Sequence, residues 1–252
     1  MSLSVPFYLH SCFYAAGVFS SVFPALSFVL RGELSDMWYV VLAVVAMLVV
    51  SVVIANTGCI LTKSTSASLE ELGATYLQTT TGEQTVEKAA EKSQTLWERS
   101  GAVIQVVRPD CWCRFHVQEA AELSSLKPQL DQLGVPLYAV VKENVGTEIQ
   151  SFRQYFKGEI FVDHKRVFYG PKPRRMGLAL GLVRLGVLRN LVHAGKKGYQ
   201  GNRRGEGFIL GGLFVIGAEK QGILLEHREK EFGDKADLSS IMEAARKINK
   251  SQ

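Results

Sequence analysis

A short apolar strand that leads into a pair of cysteines is the feature that most constrains how this chain folds. Residues 102–107 read Ala-Val-Ile-Gln-Val-Val, a run of β-type composition, and residues 119–126 beyond it have the composition of a helix. The sequence therefore predicts a strand that gives way to a helix. Cys111 and Cys113 are expected at the junction between the two elements.

Cysteines at the beginning of a helix have unusual chemistry. Unpaired N–H groups and the positive end of the helix dipole stabilise the thiolate, which is the reactive form of the side chain. We expect Cys113 to be the nucleophile and Cys111 its resolving or alternative partner, since a disulfide between them would close a small, strained ring. Arg108 and a charged His116 would favour the thiolate. The alternative is that both thiols are half-buried structural groups beside Trp112.

The number and spacing of the cysteines argue against a structural staple or a zinc site. Four cysteines are too few for a secreted disulfide scaffold, and residues 111 and 113 are the only close pair. Zinc fits poorly because His116 completes at most a three-ligand cluster and no second Cys-x-x-Cys follows. We therefore expect neither a metal nor another bound cofactor.

Charge and composition limit the classes of partner. The chain has a formal net charge of +5 and a pI near 9.0. Its aromatic residues are not interleaved with the basic clusters, so no nucleic-acid partner is expected. Mild basicity is equally consistent with a protein held near an anionic membrane surface.

An uncharged apolar run near the N-terminus is long enough to cross a bilayer. Residues 37–55 contain no charged side chain, and a helix of about 20 residues spans the hydrocarbon core. A single membrane anchor is one interpretation. The alternatives are a hairpin that also inserts the broken apolar run at 5–30, a signal peptide, and an extension upstream of a product that begins at Met37.

The composition divides the chain into four segments. We expect an apolar N-terminal extension at 1–36, a candidate membrane-anchoring helix at 37–55 and a polar connector at 56–95. The connector is expected to contain short helices, at residues 67–76 and 86–97. The remaining residues, 96–252, are predicted to form one domain.

The order of elements in that domain predicts a thioredoxin-like α/β fold, a mixed sheet flanked by helices. After the cysteine-bearing helix we expect a strand, a helix and a third strand, then a strand hairpin and a last helix that Asp237 caps. The βαβ unit supplies the parallel half of the sheet, and the hairpin completes it. The expected ranges are 136–142, 147–156, 159–162, 208–216, 222–228 and 238–248.

Several long strings in the domain closely resemble the peroxiredoxin-like 2A family of redox-regulatory, AhpC/TSA-type antioxidant proteins. The resemblance runs from about Trp97 to the C-terminal helix, and the apolar segment at 37–56 resembles the family more loosely. The strings that carry it lie at residues 125–143, 155–161, 205–212 and 222–235.

The resemblance implies a thioredoxin-like fold, antioxidant or redox-regulatory activity and a Cys-x-x-Cys pair after an Arg-Pro-Gly turn. The chain departs from that pattern, because Cys111-x-Cys113 replaces the pair and two extra residues precede the helix. Aligned from Arg108, Cys111 takes the place of the first cysteine and Arg114 that of the second. Aligned backwards from Glu119, Cys113 is the first cysteine and His116 stands in place of the second. The two-cysteine relay is thus in doubt, whereas a single reactive thiol is not. Asp110 also stands where peroxidatic enzymes carry a Thr or Ser, which argues against high peroxidase turnover.

Three functions follow from these observations. The first is a thiol-based antioxidant or redox-regulatory protein that receives electrons from thioredoxin- or glutathione-type thiols. The second is reduction of prostaglandin endoperoxides, as in a sister family, and the third is a membrane-tethered interaction module without chemistry. The resemblance implies a cytoplasmic product, or also a secreted one, and the apolar run at 37–55 argues for membrane association.

Overall fold

The structure is a computed structural model of the chain. It describes residues 37–57, 66–80, 90–107, 114–143, 148–177, 181, 183–196 and 209–248. The chain divides into two compact units, one made of Met1–Thr62 with Val183–Leu185 and the other of Lys63–Leu182 with Gly186–Gln252.

The first unit contains a single long apolar helix among its described residues, α1 (Met37–Asn56). The stretch Tyr39–Asn56 has a mean hydropathy of 2.6 and only 6% of it is buried, so α1 is long and apolar enough to cross a membrane. Near its end, the Asn56 side chain accepts a hydrogen bond from the Leu185 backbone N–H at 2.9 Å and donates one to the Val183 carbonyl at 3.1 Å. The helix predicted at 37–55 is confirmed as a helix.

The second unit is built on a seven-stranded sheet with the strand order β2-β1-β5-β4-β3-β6-β7. The strands β3, β4 and β5 are parallel, whereas β1 and β6 run antiparallel to their neighbours β5 and β3, and β6 and β7 form a hairpin. This is the mixed, thioredoxin-like sheet that the order of elements predicts. The strands are β1 (Tyr76–Thr79), β2 (Ala90–Lys92), β3 (Ala102–Val107), β4 (Leu137–Val141), β5 (Glu159–Val162), β6 (Gly212–Ile216) and β7 (Ile223–Arg228).

Helices and 3-10 turns connect the strands and cover the sheet. The described helices are α2 (Leu69–Ala74), α3 (Arg114–Leu133), α4 (Glu148–Phe152), α5 (Leu185–Lys196) and α6 (Leu238–Arg246), and the turns are Ser93–Leu96 and Val167–Tyr169. The predicted cap of the last helix is confirmed, because the Ser240 N–H donates to Asp237 Oδ2 at 3.0 Å.

The central strand β3 is buried on both faces of the sheet. Val103 and Val107 belong to a core cluster that includes residues of α3 and α6, whereas Ile104 and Val106 belong to a second cluster. Burial on both faces explains why this strand is apolar at every position except Gln105 rather than alternating. It is also the strand that leads to the predicted cysteine pair.

The segment 56–95 differs from the short helices that its sequence predicts. A helix is present at Leu69–Ala74, but residues 90–92 form strand β2 and 93–96 a 3-10 turn. Both β1 and β2 pair at the edge of the sheet, so part of this polar segment extends the domain. β2 is three residues long and fully exposed, and therefore lacks the apolar alternation by which a strand is recognised.

Candidate redox site

The strand and the helix that flank the cysteine pair are both present. β3 ends at Val107, as the sequence predicts, and α3 begins at Arg114, five residues before the helical stretch that the sequence indicates at 119–126. The connecting segment lies outside the described residues, so the positions of its thiols remain sequence-based predictions. Three candidate residues, Arg108, Cys111 and Cys113, lie outside the described part of the chain. The other two cysteines, Cys12 and Cys59, also lie outside it.

Strand β3 is held at its end by a tyrosine from a neighbouring turn. The Tyr169 hydroxyl donates a hydrogen bond to the Val107 carbonyl at 2.5 Å, and both residues are buried. The carbonyl at the last residue of β3 is therefore satisfied by a side chain. This bond fixes the point from which the cysteine-bearing segment departs.

His116 is the one predicted site residue that the structure describes. It is the third residue of α3 and is only 3% exposed. Its Nε2 lies 3.2 Å from Oε1 of Glu229, which directly follows β7 and is 2% exposed. The other carboxylate oxygen of Glu229 accepts a hydrogen bond from the Gly211 N–H at 3.0 Å. A buried imidazole and a buried carboxylate thus face each other one turn into the helix.

A second carboxylate, Glu119, lies beside this pair. It is 8% exposed, and its ligand atom and those of His116 and Glu229 all lie within 4.8 Å of one another. A cavity of about 30 Å³ is lined in part by Glu119 and Glu229. Three buried groups that bind protons or metal ions therefore lie close together, and two of them, Glu119 and Glu229, also line the cavity.

Basic side chains also approach the cluster. The Arg174 guanidinium donates a hydrogen bond to the backbone carbonyl of Glu229. Burial lowers the pKa of Arg174 and its neighbour Arg228 lowers it further, while Glu229 opposes the shift. Lys235 lines the cavity and is ion-paired with Glu122.

Sequence reasoning missed both carboxylates of this cluster. Glu119 served only as a marker of helix composition, although its i,i+3 spacing from His116 places both on one helix face. Glu229 is distant from His116 in sequence, since it follows the last strand, β7. Only the pairing of β3 with β6 and of β6 with β7 brings it to the start of α3. No local pattern contains that information.

Comparison with known proteins relates the chain first to a broad class. A family model described as "AhpC/TSA antioxidant enzyme" matches residues 122–231. Among solved structures, the bacterioferritin comigratory protein of Xanthomonas campestris aligns with a TM-score of 0.43 at 12% identity, covering 73% of this chain and 98% of that one. PrxQ of Xylella fastidiosa aligns with a TM-score of 0.46 at 12% identity, covering 72% and 92%. The family model alone relates the matched residues to the AhpC/TSA antioxidant class.

Curated relatives narrow the class to one family. Peroxiredoxin-like 2A of Danio rerio is 57% identical over 214 residues, covering 84% of this chain and 97% of the relative. The Gallus gallus and Homo sapiens proteins of the same name are 56% and 53% identical, covering 84% of this chain and 92% and 90% of themselves. The chain belongs to the Peroxiredoxin-like 2A family, which confirms the resemblance identified in the sequence.

Proposed function

We propose that the chain is a thiol-based antioxidant or redox-regulatory protein that uses Cys113 to reduce peroxides or disulfides. The observation that carries the proposal is the start of α3 at Arg114, directly after Cys113 in sequence. The first N–H groups of a 20-residue helix are partial positive charges that lower a thiol pKa. Membership of an antioxidant family supports the same chemistry.

The proposed reaction transfers two electrons from the Cys113 thiolate to a peroxide. The Cys113 thiolate attacks a peroxide oxygen, the O–O bond breaks, and the sulfur becomes a sulfenic acid while an alcohol or water leaves. The Cys111 thiol, or a thiol of the reductant, then condenses with the sulfenic acid to form a disulfide and release water. A cellular thiol of the thioredoxin or glutathione type reduces that disulfide and restores both thiols.

His116 and Arg108 are proposed to tune the Cys113 thiol rather than to react. His116 lies three residues beyond Cys113 on the chain, and its Nε2 lies 3.2 Å from Glu229 Oε1. A cationic imidazole near a helix start stabilises a thiolate. Arg108 supplies a fixed positive charge on the other side of the cysteines in sequence.

Single and double cysteine substitutions in the full-length chain test the reaction. Cys113→Ser should abolish thioredoxin-coupled consumption of peroxide or disulfide, whereas Cys111→Ser should slow turnover and leave the first oxidation intact. Cys59→Ser is the matched control and should behave as the parent chain. If the Cys111→Ser/Cys113→Ser chain keeps full activity, the proposal fails.

The same purified chain separates the two alternatives. Turnover of a prostaglandin endoperoxide with a thioredoxin and NADPH supply, at the expense of other peroxides, would identify the sister activity. A titration of thiol reactivity against pH tests for the module without chemistry. If no thiol reacts below the ordinary cysteine pKa of about 8.5, the chain is an interaction module and the reductase proposal fails.

We also propose that α1 holds the chain on a membrane with the redox domain in the cytosol. Supporting this, Leu42 and Leu48 in the middle of the helix are each 61% exposed, an unusual environment in water for leucines on a 20-residue helix. Free thiols that cycle between redox states are suited to the reducing side of the membrane. A secreted product is the alternative.

A further inference from the structure

We propose that His116, Glu119 and Glu229 form a binding site for a divalent transition-metal ion of the zinc type. The site involves none of the cysteines, but it shares His116 with the redox proposal; with an ion bound, the imidazole is neutral and the ion supplies the positive charge near the start of α3. The proposal rests on the donor types, their spacing, their burial and the cavity beside them.

The donor set suits zinc chemically. One imidazole nitrogen and two carboxylate oxygens are ligands that Zn²⁺ accepts, and three protein ligands with one open position are typical of zinc sites that bind water or a substrate. His116 and Glu119 are three residues apart on α3 and so lie on one face of the helix. Glu229 approaches from the end of β7 and completes the set.

The spacing of the donors also fits an ion between them. Ligands at about 2.0–2.2 Å from a tetrahedral zinc ion lie about 3.3–3.5 Å from each other. His116 Nε2 and Glu229 Oε1 are 3.2 Å apart, and the three donor atoms lie within 4.8 Å of one another. The donor atoms are therefore as close together as the ligands of one ion require, to within about 1.5 Å.

The burial of the three residues, and a backbone hydrogen bond to one of them, favour a cation at this position. The three residues are 3%, 8% and 2% exposed, and two carboxylates so far from water are stabilised by a bound positive ion. The Gly211 N–H holds the other oxygen of Glu229 at 3.0 Å, which orients the carboxylate as outer-shell groups do in metal sites. Lys235 on the cavity wall is ion-paired with Glu122.

The neighbouring cavity supplies the open coordination position. Its volume of about 30 Å³ exceeds the roughly 10–15 Å³ that one water needs. Glu119 and Glu229 line it and His116 does not, so a water bound to the ion on the side of the two carboxylates would occupy this cavity. The site therefore has room for three protein ligands and an exchangeable fourth.

Calorimetric titration of Zn²⁺ into the full-length chain with its four cysteines changed to serine tests the proposal, because thiols that would compete for zinc are removed. We expect one ion per chain. His116→Gln and Glu119→Gln should each weaken binding at least about tenfold, since even outer-shell groups cost that much. Asp131→Asn, which removes an exposed carboxylate from the same helix, is the matched control and should bind as the parent.

X-ray absorption at the zinc edge provides a readout that depends on no substitution in the cluster. The expected spectrum of the cysteine-free chain shows one imidazole and oxygen ligands at about 2.0–2.2 Å. The proposal is overturned if zinc fails to bind in a one-to-one ratio, if the spectrum lacks an imidazole, or if the His116 and Glu119 variants bind as tightly as the parent. The last result would mean that His116 and Glu229 form only an ion pair.

Discussion

At position 105 the central strand carries an amide among hydrocarbon side chains. Gln105 is fully buried, and within the described part of the chain neither its Nε2 nor its Oε1 makes a hydrogen bond. A buried polar group without a partner costs free energy relative to an apolar group of the same shape. The residue belongs to the strand that leads to the cysteine pair, and nothing in the described structure explains its polarity.

Gln105→Met should therefore stabilise the protein. We expect the free energy of unfolding to rise by about 1–3 kcal/mol, the cost of leaving such a group unsatisfied. Chemical denaturation of the full-length chain measures it. Gln118→Met is the matched control and should destabilise, because the Gln118 amide is buried but bonded to Glu122 at 2.8 Å. A loss of stability in Gln105→Met would show that the amide has a partner.

A buried carboxyl, Asp163, should make stability depend on pH. Burial raises its pKa, and the Phe168 N–H, which donates to Oδ2 at 2.9 Å, only partly opposes the shift. The folded state then holds this proton more tightly than the unfolded state does. Its contribution to stability is greatest below the unfolded pKa of about 3.9 and falls as the pH rises through the raised folded value.

Asp163→Asn should remove that fall in stability. The asparagine keeps an acceptor for the Phe168 N–H but cannot ionise. The variant should therefore exceed the parent in free energy of unfolding by a larger margin at pH 7 than at pH 4, as measured by denaturant titration at both values. An equal margin at the two pH values, or a larger one at pH 4, would contradict the assignment.

At the scale of elements, the burial of a strand determines whether the sequence predicts it. β3, β4 and β6 are buried and largely apolar, and the sequence predicts all three: β3 at its observed bounds, β4 one residue too long at each end, and β6 four residues too early at its start. The sequence does not predict the edge strand β2, because all its side chains are exposed and its pairing with β1 depends on backbone hydrogen bonds. The contact between His116 and Glu229 was not predictable for a related reason. It exists only once distant strands have paired.

The close approach of β4 and the start of β5 should leave no room for a side chain at Gly158. A Cβ added at Gly158, just before β5, would lie 2.1 Å from the Leu137 carbonyl oxygen in β4. Gly158→Ala should thus lower the free energy of unfolding by about 1–3 kcal/mol, as overpacking does. Gly177→Ala is the control, since no atom of the described residues lies within 4 Å of its added methyl group. Equal stabilities of the two variants in chemical denaturation would refute the expected clash.

At the scale of the whole molecule, the chain combines an exposed apolar helix with a buried α/β core. The described side chains of α1 are mostly exposed, whereas β3 and β6 of the second unit are buried throughout. A bilayer is the solvent in which such a helix is stable, since its backbone is satisfied internally and its side chains are apolar. The two units thus suit different surroundings, and membrane association is the proposal that reconciles them.

Charges placed in α1 should release the chain from membranes. Val45 and Leu48 are 50% and 61% exposed, and a lysine at the centre of a spanning helix costs about 2.5–3.5 kcal/mol. Full-length protein should resist extraction from the membrane pellet by alkaline carbonate, and Val45→Lys with Leu48→Lys, or deletion of residues 1–55, should abolish this. Val45→Leu with Leu48→Val is the control. Extraction of the parent chain by carbonate would disprove the anchor.

The central claim is that the sulfur of Cys113 reacts because a helix begins directly after it. The most direct measurement is mass spectrometry of the peptide that contains Cys111 and Cys113, after the reduced full-length chain meets a low dose of peroxide. We predict a sulfenic acid on Cys113, or a disulfide between Cys111 and Cys113, before any oxidation of Cys59. The claim is contradicted if both sulfurs stay reduced until Cys59 oxidises.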